Sequence, residues 1–273
     1  MTLNTTCLVT GANRGIGKGL VALYLARPHH TVIAAVRDPA HPSAQSLREL
    51  GLAQDANDGS TTSRLIIIQM DYASSASIKA AFAALASDHA IHSLDVVIAN
   101  AGIGYTTGRP LAEESRDELQ RFVEVNAHGP LELFGAALKM MQEAAERRRN
   151  EKGDQGKKPR FVLVSSNVGS FGLNASFPGY ALYGASKAMA NYLIKWLAQE
   201  NKEVVAFVVH PGPVKTDMGN NARDQGEKMG LKLDLKWLEV EDSAGQIQKL
   251  IDDAESKDFG GRFLQYDGAE LPW

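Results

Sequence analysis

Apolar residues in this chain gather in short, nearly unbroken runs such as "TTCLVT", "RLIIIQM" and "VVAFVVH". Longer stretches with helical spacing separate them. Strands are predicted over residues 5–10, 31–36, 65–70, 94–99, 161–165, 204–210 and 262–266. Helices are predicted over 16–27, 74–89, 117–149, 182–199 and 243–255. The strand runs do not alternate apolar with polar, which is the pattern of strands covered on both faces. Strand–helix alternation of this kind implies right-handed βαβ units. The expected fold is α/β, a single doubly wound domain over residues 1–273. Its parallel sheet is predicted to have about seven strands, with helices on both faces.

Two segments break the pattern. "RRRNEKGDQGKKPR" (147–160) reads as a solvated helix end and turn. "DMGNNARDQGEKMGLKLDLKW", the bulk of 217–238, is longer than an ordinary connection and mixes glycines, charges and scattered apolar residues. It reads either as a candidate substrate lid or as a plain surface loop. As a lid it would offer Met218, Met229, Leu231, Leu233 and Trp237 as apolar contacts.

Composition narrows the function classes. A hydrophobic fraction of 44% suffices for a sizeable core, and a net charge of −3 gives no pull toward nucleic acid or an anionic membrane. Cys7 is the only cysteine, so no intrachain disulfide forms; within its apolar run it reads as a small buried side chain. No signal segment is read, and no apolar run is long enough to cross a bilayer. The expectation is a soluble, cytoplasmic protein without nucleic-acid or membrane partners. No His, Cys and carboxylate cluster has metal-ligand spacing, so no metal is expected.

The first candidate chemistry lies in "CLVTGANRGIGKGL" (7–20), between a strand and a helix. Gly11 allows a tight turn, Gly15 lets backbone approach a pyrophosphate, and Gly17 permits close helix–strand packing. Asn13, Arg14 and Ile16 fill the turn, and the helix that follows offers free N–H groups to phosphate. At the first βα junction of a parallel sheet, this pattern predicts a dinucleotide. A Walker-type phosphate loop is disfavoured, because no Gly-Lys-Ser/Thr closes it. The next strand runs into "VIAAVRDP" (32–39). A carboxylate for a ribose 2′-hydroxyl would stand near Ala35, where there is none. Arg37 and Arg14 instead suit a 2′-phosphate, which predicts NADP(H) over NAD(H). Asp38 argues the other way unless it caps the turn before Pro39.

The second candidate is "YGASK" (183–187), on a predicted helix. A free phenol, with pKa about 10, is a poor partner for phenolate chemistry near neutrality, and a nearby ammonium would lower that value. Residues i and i+4 share a helix face, so Lys187 can sit beside Tyr183. Tyr180 has Gly184 at that spacing and reads as a pocket wall or a half-buried aromatic. His128 and His210 read as structural.

The spacing TGxxxGxG, followed in order by "ANAG" (99–102), "VNAHG" (125–129), "YGASK" and "HPGPVKT" (210–216), resembles the short-chain dehydrogenase/reductase superfamily over essentially the whole chain. "TGANRGIG", "RDP" and "GGRFLQYDGAELPW" look most like its carbonyl-reductase-type and fungal norsolorinic acid ketoreductase-like members. The resemblance implies a Rossmann fold in which Asp71 binds the adenine amino group and Asn100, Ala101 and Gly102 hold the turn beside the adenosine ribose. It places Pro211, Gly212, Val214 and Thr216 along the nicotinamide and Lys187 on the ribose hydroxyls. Tyr183 would be the acid, and Asn126 would hold a water through its backbone carbonyl and link Lys187 to solvent. An asparagine in mid-helix is locally unfavourable, in keeping with a special role.

Two counting rules disagree on the polarising serine. Ser166 is the second serine of "SSNVG" at the end of the fifth strand, whereas counting back from the tyrosine, as in many members, selects Ser170. Ser166 is preferred, because a strand end fixes a side chain better than a glycine-rich loop. Ser165 should face the other way, and Ser176 and Ser186 read as ordinary hydroxyls. The function implied is NADPH-dependent reduction of a small-molecule ketone, of a bulky or aromatic polyketide type, to a secondary alcohol. Two alternatives stay open: the same site run as an alcohol dehydrogenase, and a dinucleotide-binding sensor without turnover. In many members the helix of 117–149 and the Tyr183 helix form a dimer face, so a homodimer or homotetramer is an open expectation.

Overall fold

Strand β1 (Thr5–Thr10) buries Cys7, Leu8 and Val9 completely, which requires cover on both faces and neighbours on both edges. In the computed structural model it lies inside a seven-stranded sheet of order β3-β2-β1-β4-β5-β6-β7. The structure describes residues 4–54, 62–152, 157–173, 179–230, 235–254 and 258–273. The other strands are β2 (His30–Val36), β3 (Arg64–Gln69), β4 (Val96–Ala99), β5 (Arg160–Val164), β6 (Val205–His210) and β7 (Phe263–Gln265). All six pairings are parallel. This is the Rossmann-like doubly wound arrangement, and the strand bounds lie within two residues of those predicted.

Helices α1 (Gly15–Leu25), α2 (Pro42–Gln45), α3 (Ser75–Ser87), α4 (Arg116–Val123), α5 (Gly129–Lys152), α6 (Ala181–Glu200), α7 (Asp217–Lys228) and α8 (Val240–Asp253) complete the described elements, with three short 3₁₀ turns. Successive β1 side chains serve opposite faces. Cys7 and Val9 join Leu20, Tyr24, Ile247 and Ile251 under α1 and α8. Leu8 joins Ile78, Phe82, Phe134, Phe161 and Ile194 under α3, α5 and α6. Cys7 is thus a core residue, and burial pushes its thiol pKa far up.

Three expectations about elements need correction. The helix predicted over 117–149 is interrupted: between α4 and α5, Glu124–His128 forms a π turn carrying Asn126. The solvated helix end expected at 147–160 is partly a buried ion-pair cluster. Arg147 and Arg148 lie inside α5 and donate to Asp95 at 2.6–3.0 Å, while the Thr6 N–H donates to the same carboxylate at 2.8 Å. A buried carboxylate needs such partners, and α5 is thereby tied to the foot of β1 and β4. The segment 217–238 contains α7, and its end at Leu238 pairs with Val214 of the loop after β6 in an isolated bridge. Leu231, Leu233 and Ser176 lie outside the described residues.

Candidate active site

The loops leaving the carboxyl ends of the central strands carry the predicted site residues, as a topological switch between β1 and β4 requires. The loop after β1 is built for close approach. Gly11 and Gly15 have φ of +62° and +52°, a region that favours glycine. A Cβ at Gly17 would sit 2.3 Å from the Gly11 carbonyl oxygen, so any side chain there would part α1 from β1. Helix α1 has no side-chain cap at Arg14 and no acidic residue in its first turn. Its leading N–H groups and dipole are left for an anion. The cradle therefore fits a dinucleotide pyrophosphate.

A polar network holds the cradle. Thr10 Oγ1 accepts from the N–H groups of Asn100 (3.0 Å) and Ala101 (3.1 Å) and lies 2.7 Å from the Tyr72 hydroxyl. The Asn100 side-chain amide donates to the carbonyls of Thr10 (2.9 Å) and Gly11 (3.3 Å). Asn13 donates to Ser43, which ties the turn to α2. Thr10 and Tyr72 had no role in the sequence reading; the signal was a hydroxyl closing an otherwise apolar strand.

Arg37 is exposed just beyond β2, and Ala35 is buried in the strand. Asp38 accepts from the Ala40 N–H, so it does cap the turn at Pro39. Arg14 forms an exposed ion pair with Asp217 at 3.0 Å, at the first turn of α7. Asp71, just beyond β3, accepts from the Ala73 N–H. Beyond β6, the Pro211 carbonyl accepts from Ser243, Gly212 takes φ +81°, and Val214 pairs with Leu238. Thr216 Oγ1 accepts from the Gly219 N–H at 3.1 Å and caps α7. Its methyl would lie 3.1 Å from a Cβ at Gly15, so the loops after β1 and β6 face each other across a narrow gap.

The hydroxyl of Ser166 lies near enough to the Tyr183 phenol to act on its proton. Ser166 Oγ also accepts from the Val168 N–H at 3.3 Å, which fixes it at the head of a 3₁₀ turn. Ser170 is engaged elsewhere: it donates to the Pro272 carbonyl at 2.6 Å and accepts from the Leu173 N–H. Ser165 turns to Asn191 at 2.6 Å. Burial pushes the Tyr183 pKa up to about 12, and the Ser166 hydroxyl is what pulls it down. The lowering expected from Lys187 is not found: the phenol's pKa is raised by burial, and Lys187 is not among the groups that act on it.

The Lys187 Nζ lies 5.9 Å from the centre of the Tyr183 ring and donates to the Val164 carbonyl at 3.1 Å. Burial depresses its pKa to about 8. A Cβ at Gly102 would sit 3.1 Å from Asn126 Oδ1 and 3.5 Å from Nζ, so this glycine makes room for both. Asn126 is fully buried. Its Oδ1 accepts from the Ile103 N–H and its Nδ2 donates to the Ile103 carbonyl, both at 2.9 Å. The same amide donates to Ser186 Oγ at 3.0 Å, and Ser186 donates to the Tyr183 carbonyl at 2.7 Å. Ser186, read from sequence as an ordinary hydroxyl, joins the asparagine to the tyrosine's own helix turn.

The packing around Tyr183 is aromatic. Tyr180 packs edge-on against it at 6.0 Å, and Phe122 lies at 6.5 Å with Tyr105 stacked beyond. Tyr180 also walls a cavity of about 540 Å³ that includes Val168, Phe171 and Gly184 but neither Tyr183 nor Ser166. The cavity adjoins the reacting groups without containing them. His210 is nearly buried and burial depresses its pKa to about 4, so it is neutral near pH 7. His128 is exposed on the π turn. Among the described residues no group of three His, Cys or carboxylate side chains could hold a metal, and no helix is long and apolar enough to cross a membrane.

A glycine cradle after the first strand, facing a phenol, a hydroxyl and an ammonium set by the fifth, defines a nucleotide-dependent oxidoreductase. The chain belongs to the short chain dehydrogenase family, whose model matches residues 5–227. It is 43% identical to the short chain dehydrogenase gsfK of Penicillium aethiopicum, covering 98% of this chain and 99% of that one. It is 36% identical to the norsolorinic acid ketoreductase nor1 of Dothistroma septosporum, covering 98% and 92%. Among solved structures, the NADPH-bound carbonyl reductase from chicken fatty liver superposes with a TM-score of 0.80 at 30% identity, covering 100% of this chain and 96% of that one. The protein is thus an oxidoreductase of a ketoreductase type, acting on carbonyl or hydroxyl groups. Its family binds a nicotinamide dinucleotide.

Proposed function

We propose that the protein reduces a bulky or aromatic, polyketide-type ketone to a secondary alcohol with NADPH. The observation that carries this reading is the grouping of Ser166 with the Tyr183 phenol, with Lys187 and Asn126 packed behind them. NADPH, when bound, supplies the hydride. Negative charge then develops on the substrate oxygen, and the chain's residues answer it. Tyr183, neutral at pH 7 with its pKa about 12, gives its proton to that oxygen. Ser166 donates to the same oxygen and keeps the phenol aligned. Lys187, with a pKa about 8, is largely protonated at neutral pH and steadies the phenolate left behind. Asn126 holds the Ile103 backbone and, through Ser186, the first turn of α6, which keeps these groups in register.

On the cofactor side, Gly11 to Gly17 hold the pyrophosphate, Asp71 the adenine, and Asn100 to Gly102 the adenosine ribose. Pro211, Gly212, Val214 and Thr216 line the nicotinamide, and Lys187 holds its ribose. Arg37, exposed beyond a strand end that offers no carboxylate, takes the 2′-phosphate, and Arg14 joins it by leaving Asp217. The carbonyl reductase and norsolorinic acid ketoreductase relatives support the choice of substrate class. The test is a panel of aliphatic, aryl and multi-ring ketones with NADPH and NADH, followed by reduced-nicotinamide absorbance. Faster oxidation of NADPH with multi-ring ketones is expected; turnover with NADH alone, or with none of the ketones, would overturn the proposal.

A further inference from the structure

The space beside Tyr183 has an unusual floor. A Cβ at Gly104 would lie 2.8 Å from Met218 Sδ, 3.4 Å from Met218 Cγ and 3.2 Å from Tyr183 Cε2. The methionine thioether is therefore seated on a bare backbone, against the edge of the catalytic ring. Gly104 does not need glycine's conformational freedom, because its φ is not in the positive region. What it supplies is the missing side chain.

Met218 is also held in place. It is the second residue of α7, whose start is fixed by the Thr216 cap on Gly219. Gly219 in turn has no room for a side chain: a Cβ there would lie 2.0 Å from the Val214 carbonyl oxygen and 3.3 Å from the Trp237 ring. The helix start is thus pressed against the loop that follows β6, and Met218 is presented to Gly104 from a fixed base. It keeps 39% of its surface exposed, so the side chain is packed on one part and open to solvent on another. The edge of the Tyr183 ring lies at the same seat, with Phe122 buried behind that ring and Tyr105 packed on Phe122. A partly exposed thioether beside an aromatic ring edge is a soft, apolar surface suited to contact with another aromatic plane.

We propose that Gly104 and Met218 set the width of ketone that reaches Tyr183, and that the slot they leave takes flat, fused-ring aromatic ketones. This rests on the reductase reading above and adds the residues that select the substrate. Gly104→Ala would push the flexible end of Met218 off its seat and into the slot. Met218→Ala in the same chain would remove the obstruction.

The experiment compares the full-length wild type with Gly104→Ala, Met218→Ala and the double variant, using acetophenone, α-tetralone and a three-ring anthracenone. Dissociation constants by calorimetry and kcat/KM with NADPH are both measured, with melting temperature as a check on folding. An added methyl in a fitted pocket is worth about 10–200-fold. Gly104→Ala should therefore weaken the three-ring ketone about tenfold more than acetophenone, and adding Met218→Ala should recover most of that difference. Equal losses on all three ketones, or no recovery in the double variant, would overturn the gauge. If the wild type binds the ketones with this pattern but turns none over, the reductase reading fails and the gauge stands. Failure to bind any of them overturns both.

Discussion

Lys187 carries the largest electrostatic cost in the site, since its ammonium is buried and pushed down from the usual 10.5 to about 8. The sign of the linkage follows directly. Between pH 8 and 10.5 the folded chain holds fewer protons on this residue than the unfolded chain, so its contribution to stability rises with pH across that window. Below pH 8 the charged form costs up to roughly 3 kcal/mol. Lys187→Met should accordingly melt no lower than the wild type at pH 7, and the wild type should gain on it as pH rises, while turnover falls steeply. A variant less stable at pH 7 by several degrees would refute the burial cost. The two serines separate just as sharply. Ser166→Ala should cost kcat heavily, because it removes the Tyr183 partner. Ser170→Ala should cost about 1 kcal/mol of stability through the lost bond to Pro272 and leave kcat near the wild type. The reverse pattern would move the polarising role to Ser170. The glycine-rich loop made the two serines hard to rank from sequence, because what commits Ser170 is a residue more than a hundred positions away.

Among the elements, the strands were the most legible. Their runs are apolar on both faces, and that pattern has few alternatives within a parallel sheet. The π turn was not legible, since helical spacing continues through 117–149 and the break coincides with the bonds of Asn126 to the distant Ile103 backbone. The only local sign was an asparagine in mid-helix. Such turns are rare and frequent at functional sites. Helix α7 was missed for a different reason. Its sequence is polar with internal glycines, so no apolar period marks it, and only its Thr216 cap and Asp217 were visible. At the end of β2 the signal was local: no carboxylate stands at Ala35, and Arg37 follows two residues later. Arg37→Ala should raise the dissociation constant for NADPH much more than that for NADH, measured by fluorescence of the reduced nicotinamide. Equal losses would show that Arg37 does not meet a 2′-phosphate.

At the scale of the molecule, site residues come from every loop at the carboxyl ends of the first six strands, so their order along the chain was readable as a series of motifs. What joins them was not. The Thr10, Tyr72 and Asn100 network, the Ser186 link between Asn126 and Tyr183, and the seat of Met218 on Gly104 all connect residues distant in sequence that only the folded sheet brings together. In the proposed reaction the arrangement converges on one group, the Tyr183 phenol, which burial keeps protonated and on which Ser166 acts. The most direct test is Tyr183→Phe assayed with NADPH and a ketone the wild type reduces, alongside NADPH binding. Cofactor affinity should be unchanged and kcat should fall by roughly 10²–10⁴-fold, the usual worth of a positioned acid. Turnover near that of the wild type would contradict that role.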